Sequence, residues 1–188
     1  MSKKALIVID MQKVSFTPAT PRFDTDEVVE RINSLSAKFR TAGAPVIIIQ
    51  HNGTKENECV PETTEWELLD DLNVEATDFI IPKIANDSFY RSKLHETLSA
   101  LNVDELVITG CATDFCVEST VQSGLAKDYS IIVVGDAHTT ADRPHLDAKQ
   151  IIDHYNWTWI NMIPTKGILR VIDTKFMMKM SKERLLGN

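Results

Sequence analysis

The chain is poor in the residues that mark most specialised protein classes. Only three of its 188 residues are cysteines: Cys59, Cys111 and Cys116. An odd, low count in a chain of this size excludes a disulfide framework and points to a reducing, cytoplasmic setting. Glycine and proline number seven each, too few for a low-complexity or collagen-like chain. No apolar run approaches the roughly 20 residues of a membrane span, so no membrane partner is expected. The opening MSKKALIVIDMQ sets lysines ahead of an apolar stretch. ALIVI is short for a secretory signal and Asp10 interrupts it, so no leader is expected. Positive charge is scarce as well. Lys plus Arg is 20 against 27 for Asp plus Glu, a formal net charge of −7. With no basic block there is no nucleic-acid footprint.

What the chain does have is a core-building composition, 43% hydrophobic and 25% charged. Its length suits one domain over residues 1–188. Short runs rich in Ile and Val lie at 5–9, 45–49, 78–81, 105–109, 130–134 and, more weakly, 167–172. None alternates apolar with polar, so each is expected to be a strand covered on both faces of a parallel sheet. Amphipathic segments at 26–42, 91–101, 116–127 and 143–155 are expected helices. Thr25 is expected to cap the first, with Gly43 and Pro45 ending it. Pro144 is expected in the first turn of the last. Strands alternating with helices imply right-handed crossovers and a three-layer αβα domain. The stretch 52–64 reads as a long loop. The tail KFMMKMSKERLLGN is a candidate docking segment or oligomer contact.

Ligands of such sheets bind beyond the carboxyl ends of the strands. The first run ends at Asp10, the second at Gln50-His51 and the third at Ile81-Pro82-Lys83. The fourth leads through GCATDF into Cys116 at an expected helix start. A thiol there feels the positive end of the helix dipole, which favours thiolate. Free backbone N–H groups at the same place can receive an oxyanion. Asp10, Lys83 and Cys116 thus supply a base, a cation and a nucleophile. Blander roles also fit: a small buried hydrophobe for Cys116, a loop cap for Asp10 and a solvated lysine for Lys83. The apolar flanks of Lys83, however, call for a charge partner.

These segments resemble the isochorismatase-like cysteine hydrolases, a superfamily that includes isochorismatases, nicotinamidases and N-carbamoylsarcosine amidase. The resemblance rests on ALIVIDMQKVSF, PKIANDSF, VITGCATDFCVESTVQSGLAKDY and VVGDAHTT, in that order, from Ala5 to about Tyr155. It implies a six-stranded parallel sheet in the order 3-2-1-4-5-6 and a catalytic triad at Asp10, Lys83 and Cys116. It further implies a cis peptide at Cys111–Ala112, with the Ala112 and Cys116 amides as oxyanion hole. Cys111 is then structural and Cys59 has no assigned role. Nicotinamidases carry a metal site of Asp and histidines after the second strand. Here that region reads QHNGTK, with one histidine and no aspartate, so no metal and no cofactor are expected.

The expected activity is therefore a metal-independent cysteine hydrolase. It would cleave a C–N bond of a small amide, imide or carbamoyl substrate through a thioester. Two alternatives remain: a vinyl-ether hydrolase using Asp10 as acid, and a binding protein with a vestigial site. A dinucleotide site would need G-x-G-x-x-G where the chain reads DMQKVSF. Phe16, His51, Trp66, Phe89 and Phe115 are candidate pocket walls, with Tyr90 beside them. His138 is expected to order its own loop. Trp157 and Trp159 are expected on one face of an extended segment, as a subunit contact in a homo-oligomer.

Overall fold

Buried β-strands with apolar side chains on both faces need a helical layer above and below. The computed structural model, which describes residues 2–187, has that architecture. The strands are β1 (Lys4–Ile9), β2 (Val46–His51), β3 (Phe79–Lys83), β4 (Glu105–Cys111), β5 (Ser130–Thr139) and β6 (Leu169–Ile172). All pair in parallel, in the order β3-β2-β1-β4-β5-β6. The helices are α1 (Thr25–Ala42), α2 (Leu94–Ala100), α3 (Glu118–Ala126), α4 (Ala148–Asn161), α5 (Thr174–Met178) and α6 (Lys182–Leu186). No described helix is long and apolar enough to cross a membrane.

The period-2 geometry of a strand splits the core in two. Leu6 and Val8 of β1 face one cluster with Val28, Ile32, Leu35 and Phe39 of α1. Ala5, Ile7 and Ile9 face the other, with Leu94 and Leu98 of α2, Val121 of α3 and Trp159 of α4. The C-terminal tail closes the first layer. Met177 and Leu185 are buried in the α1 cluster, and Lys38 of α1 donates to the carbonyls of Met178 and Met180 at 3.0 and 2.7 Å. The tail is thus docked on its own α1.

Several local expectations are corrected. β3 is an edge strand, so Phe79 and Ile80 are exposed rather than covered. Thr25 does not cap α1. Its hydroxyl donates to the Arg22 carbonyl at 3.0 Å, and the cap position belongs to Asp24 at φ 54°. Gly43 does end that helix, at φ 78°, a conformation that suits glycine. α2 begins at Leu94, where Ser92 Oγ accepts from the Leu94 amide. α4 begins at Ala148 rather than 143, because Asp147 and Gln150 form a reciprocal capping box. Pro144 lies in the loop before it. Trp157 and Trp159 are helical, and two residues on a helix point to nearly opposite sides. Trp159 is accordingly fully buried and Trp157 is 65% exposed.

Candidate active site

The site begins where β1 stops. Asp10 follows Ile9 in a left-handed conformation, φ 47°, which an aspartate tolerates better than most residues. Its amide still donates to the Ile49 carbonyl at 3.1 Å. Beside it Gly110 of β4 sits at φ 115°, and a Cβ there would lie 2.2 Å from the Ile9 carbonyl oxygen. Only glycine lets β4 run this close under Asp10.

Lys83 ends β3, two strands away, and its side chain reaches in beneath the sheet edge. Its Nζ lies 2.7 Å from Asp10 Oδ2 and donates to the Ala85 and Asn86 carbonyls at 2.8 and 3.2 Å. Three acceptors match three ammonium donors. The residue is 1% exposed. Burial pulls the ammonium pKa down, yet the Asp10 charge and the neighbouring Cys116 outweigh it, and the pKa ends above its ordinary value. A buried lysine held this way stays charged.

Cys116 lies in a single π-helical turn, Thr113–Val117, between β4 and α3. The Ala112 carbonyl closes that turn, accepting from Phe115 and Val117 at 3.1 Å each. The Cys111–Ala112 peptide preceding it is cis. Cys116 Sγ faces Asn86 Oδ1 at 3.6 Å. Burial pushes the thiol pKa up, the Asp10 carboxylate pushes it further, and Lys83 offsets only part of this. Desolvation and the neighbouring anion thus oppose the thiolate that a helix terminus favours. Asp10 Oδ1, the oxygen that Lys83 does not hold, is buried with no hydrogen-bond partner.

Two clamps fix the turn. On one side Asp114 accepts from Arg143 Nε and Nη2 at 2.8 and 3.0 Å, and from Thr140 Oγ1 at 2.6 Å. Burial alone would raise the Asp114 pKa, but these donors hold it below the usual carboxylate range. On the other side His138 does not order a loop of its own: it lies in β5 and bridges the π-helical turn and α4. Asn156 Nδ2 donates to the Gly135 carbonyl at 2.9 Å, which leaves Asn156 Oδ1 as acceptor for His138 Nε2 at 3.0 Å. His138 Nδ1 then accepts from Thr113 Oγ1 at 2.8 Å. This chain needs a neutral imidazole.

Complete burial lowers the His138 pKa to about 4. The unfolded chain binds that proton near pH 6.5. Between those values the unfolded state carries more protons, so stability falls as the pH drops through the window, by up to roughly 3 kcal/mol. Urea unfolding at pH 7 and pH 4.5 should show this loss in the wild type and a clearly smaller one in His138→Gln. Equal losses in the two proteins would assign the acid sensitivity elsewhere.

The expected wall residues are placed unevenly. His51 ends β2 half-buried, with Nδ1 unpartnered. Burial lowers its pKa, and Lys83 lowers it further. Trp66 is drawn in by its carbonyl, which accepts from Gln12 Nε2 at 2.9 Å and Gln50 Nε2 at 3.0 Å; its own Nε1 is buried without a partner. Gln12 also contacts Cys59 Sγ at 3.1 Å, so Cys59 anchors the long loop, its thiol raised by burial to about 11. Phe115 is 48% exposed beneath the Arg143 guanidinium, 4.9 Å from its ring. Phe89 is not a wall. It is a core residue, stacked on Tyr129 at 5.7 Å. Phe16 lines a groove of about 860 Å³ between α1 and residues 69–73, apart from the triad. Among the described residues no group of three or more His, Cys, Asp or Glu side chains could hold a metal ion. Asn86 and Arg143 escaped the sequence reading, although Asn86 lies within the quoted PKIANDSF segment.

The model of the isochorismatase domain family matches residues 4–157. A streptothricin hydrolase of Streptomyces noursei is 30% identical over 141 residues, covering 75% of this chain and 51% of that protein. The chain thus spans about half the length of that relative. The ureidoacrylate amidohydrolase RutB of Methylorubrum extorquens is 32% identical over 177 residues, covering 75% of this chain and 71% of the relative. A crystal structure of an isochorismatase family protein superimposes with a TM-score of 0.80 at 31% identity, covering 84% of this chain and 93% of the other.

Proposed function

The chain belongs to the isochorismatase family, and from that premise we propose that it is a cysteine hydrolase cleaving the C–N bond of a small amide, imide or carbamoyl compound. The observation that carries this reading is the division of labour within one carboxylate. Asp10 Oδ2 is held by Lys83, while Oδ1 is buried and free of partners, and burial together with the Asp10 charge pushes the Cys116 thiol pKa up. Such a thiol must lose its proton as it attacks, and Oδ1 is placed to take it.

Cys116 Sγ bonds to the substrate carbonyl carbon as its proton passes to Asp10. The oxygen charge that develops is received by the Ala112 and Cys116 N–H groups. Asp10 returns the proton to the leaving nitrogen, the C–N bond breaks, and ammonia or an amine departs. Water then attacks the thioester with Asp10 as base, releasing the acid and restoring the thiol. Lys83 pairs with Asp10 and balances the transient negative charge. Two relatives named as a hydrolase and an amidohydrolase support this chemistry. The exposed apolar surface of Trp157, Ile160, Ile163 and Ile168 supports a homo-oligomer.

In a panel of amides, imides and carbamoyl compounds, primary amides and carbamoyl compounds should release ammonia or imides should be cleaved to the acid and amide, and quenched single turnovers should show the Cys116 peptide carrying the acyl mass. Pyruvate release from isochorismate without ammonia from any amide would replace this reading with vinyl-ether cleavage.

A further inference from the structure

Asn86 is set against the nucleophile from two directions. Its backbone carbonyl and that of Ala85 accept from Lys83 Nζ, so the chain folds back around the ammonium that pairs with Asp10. Two residues on, the Ser88 amide donates to Thr120 Oγ1 at 3.2 Å, and the two hydroxyl oxygens lie 2.8 Å apart. Both residues are fully buried, and Thr120 belongs to α3, the helix that leaves the Cys116 turn. Asp87 Oδ1 accepts from the Phe89 amide at 2.8 Å and closes the bend beyond Asn86. Residues 86–88 are thus pinned to the lysine on one side and to the helix behind the nucleophile on the other.

None of these bonds uses the Asn86 carboxamide. The residue is exposed, and its Oδ1 lies 3.6 Å from Cys116 Sγ. A contact of that length to sulfur is weak. A carboxamide oxygen has two acceptor sites, so Oδ1 stays open to a stronger donor that arrives from solvent.

Attack by Sγ brings the substrate carbon to the sulfur, and with it the carbonyl oxygen and the leaving nitrogen. The oxygen has no hydrogen to offer, and the mechanism above gives it to backbone amides. The nitrogen differs. Its lone pair must face Asp10 to collect the proton, and its N–H bonds then need an acceptor. The N–H···O bond strengthens as that proton arrives, because the nitrogen becomes cationic before it leaves. The leaving oxygen of an ester carries no hydrogen and gains nothing from the same acceptor.

We infer that Asn86 Oδ1 accepts an N–H of the substrate's leaving nitrogen, so that Asn86 selects amides and carbamoyl compounds over esters of the same acids. This rests on the hydrolase reading above, and paired substrates separate the two. Acetamide, butyramide, benzamide and N-methylurea are each set against the methyl ester of the same acyl group. The comparison uses kcat/KM, which covers acylation and not the later hydrolysis of the thioester. Asn86→Ala should lower it roughly 10- to 100-fold for the nitrogen compounds that the wild type cleaves, and about threefold or less for the paired esters. Asn86→Leu serves where Asn86→Ala fails to fold. Asn86→Asp keeps an acceptor oxygen, so its amide-to-ester ratio should stay within about threefold of wild type, whatever the added charge does to both rates. If the wild type cleaves none of the esters, loss of amide turnover in Asn86→Ala with retention in Asn86→Asp decides in favour. Unchanged amide turnover in Asn86→Ala, or equal losses on amide and ester, would overturn the inference and leave the hydrolase standing. No ammonia from the wild type on any nitrogen compound would overturn the hydrolase reading, and the inference with it.

Discussion

Cys116→Ala is expected to lower kcat by roughly 10⁴-fold or more while leaving the fold intact, as loss of a nucleophile does in other covalent hydrolases. The fold should survive because Sγ does little for it. The side chain is half-buried, and its contact with Asn86 is long, at 3.6 Å. The turn that carries it is held by neighbours: Asp114 by Arg143, Thr113 by His138, and the Ala112 carbonyl by two amides. Alanine also suits a helical turn. Ammonia release measured beside the melting temperature checks both halves. Activity above a few per cent of wild type on any amide would remove Cys116 from the chemistry. Alkylation rate is a poorer test. Burial raises all three thiols above their ordinary range, so slow labelling of Cys116 at neutral pH is the expected result for a nucleophile activated only at the moment of attack.

The same contrast shows what a sequence can and cannot reveal here. The Ile- and Val-rich runs were legible as strands, because continuous apolar stretches bounded by helices have few other uses in a parallel sheet. Their order came with the family resemblance rather than from the runs, which carry no record of who pairs with whom. Edge position is equally silent, hence the exposed Phe79 and Ile80. Asp10, Lys83 and Cys116 could be assigned to strand ends, but the resting state of the thiol depends on burial and on a carboxylate far away in the chain. Asn86 and His138 act through contacts that no local pattern encodes. Asp147 and Gln150, three residues apart, mark the start of α4 at 148, whereas Pro144 belongs to the loop before it.

Buried lysines at strand termini are not functional by default, and Lys4 shows why. It is buried at the start of β1, with Glu105 at 2.8 Å and the Arg184 carbonyl also at 2.8 Å. That pair sits at the amino edge of the sheet, where this architecture binds no ligand. Lys83 and Asp10 occupy the carboxyl edge and leave one carboxylate oxygen unclaimed. Both oxygens of Glu105 are claimed, one by Lys4 and the other by Arg170, whereas Asp10 keeps one oxygen without a partner.

That distinction gives the second large effect. Lys83→Met should cost about 3–5 kcal/mol of stability, since it strands the buried Asp10 carboxylate without its cation. In a chain of this size that lowers the melting temperature by roughly 10 °C. Asp10→Asn should be milder, because Lys83 keeps the Ala85 and Asn86 carbonyls. The double variant Asp10→Asn/Lys83→Met removes both charges, so much of the stability lost in Lys83→Met should return, as it does when a buried pair is replaced by neutral groups of similar size. Activity should not return with it. A carboxamide cannot take the thiol proton, so Asp10→Asn and the double variant should both fall about 10³-fold or further in kcat/KM. The informative result is this divergence between two readouts of one cycle. If the double variant regained activity together with stability, Asp10 and Lys83 would be a structural pair like Lys4 and Glu105. If stability stayed low while each single variant kept its activity, the pair would have no part in the reaction. Recovery of the fold without recovery of turnover is what a proton-accepting carboxylate requires.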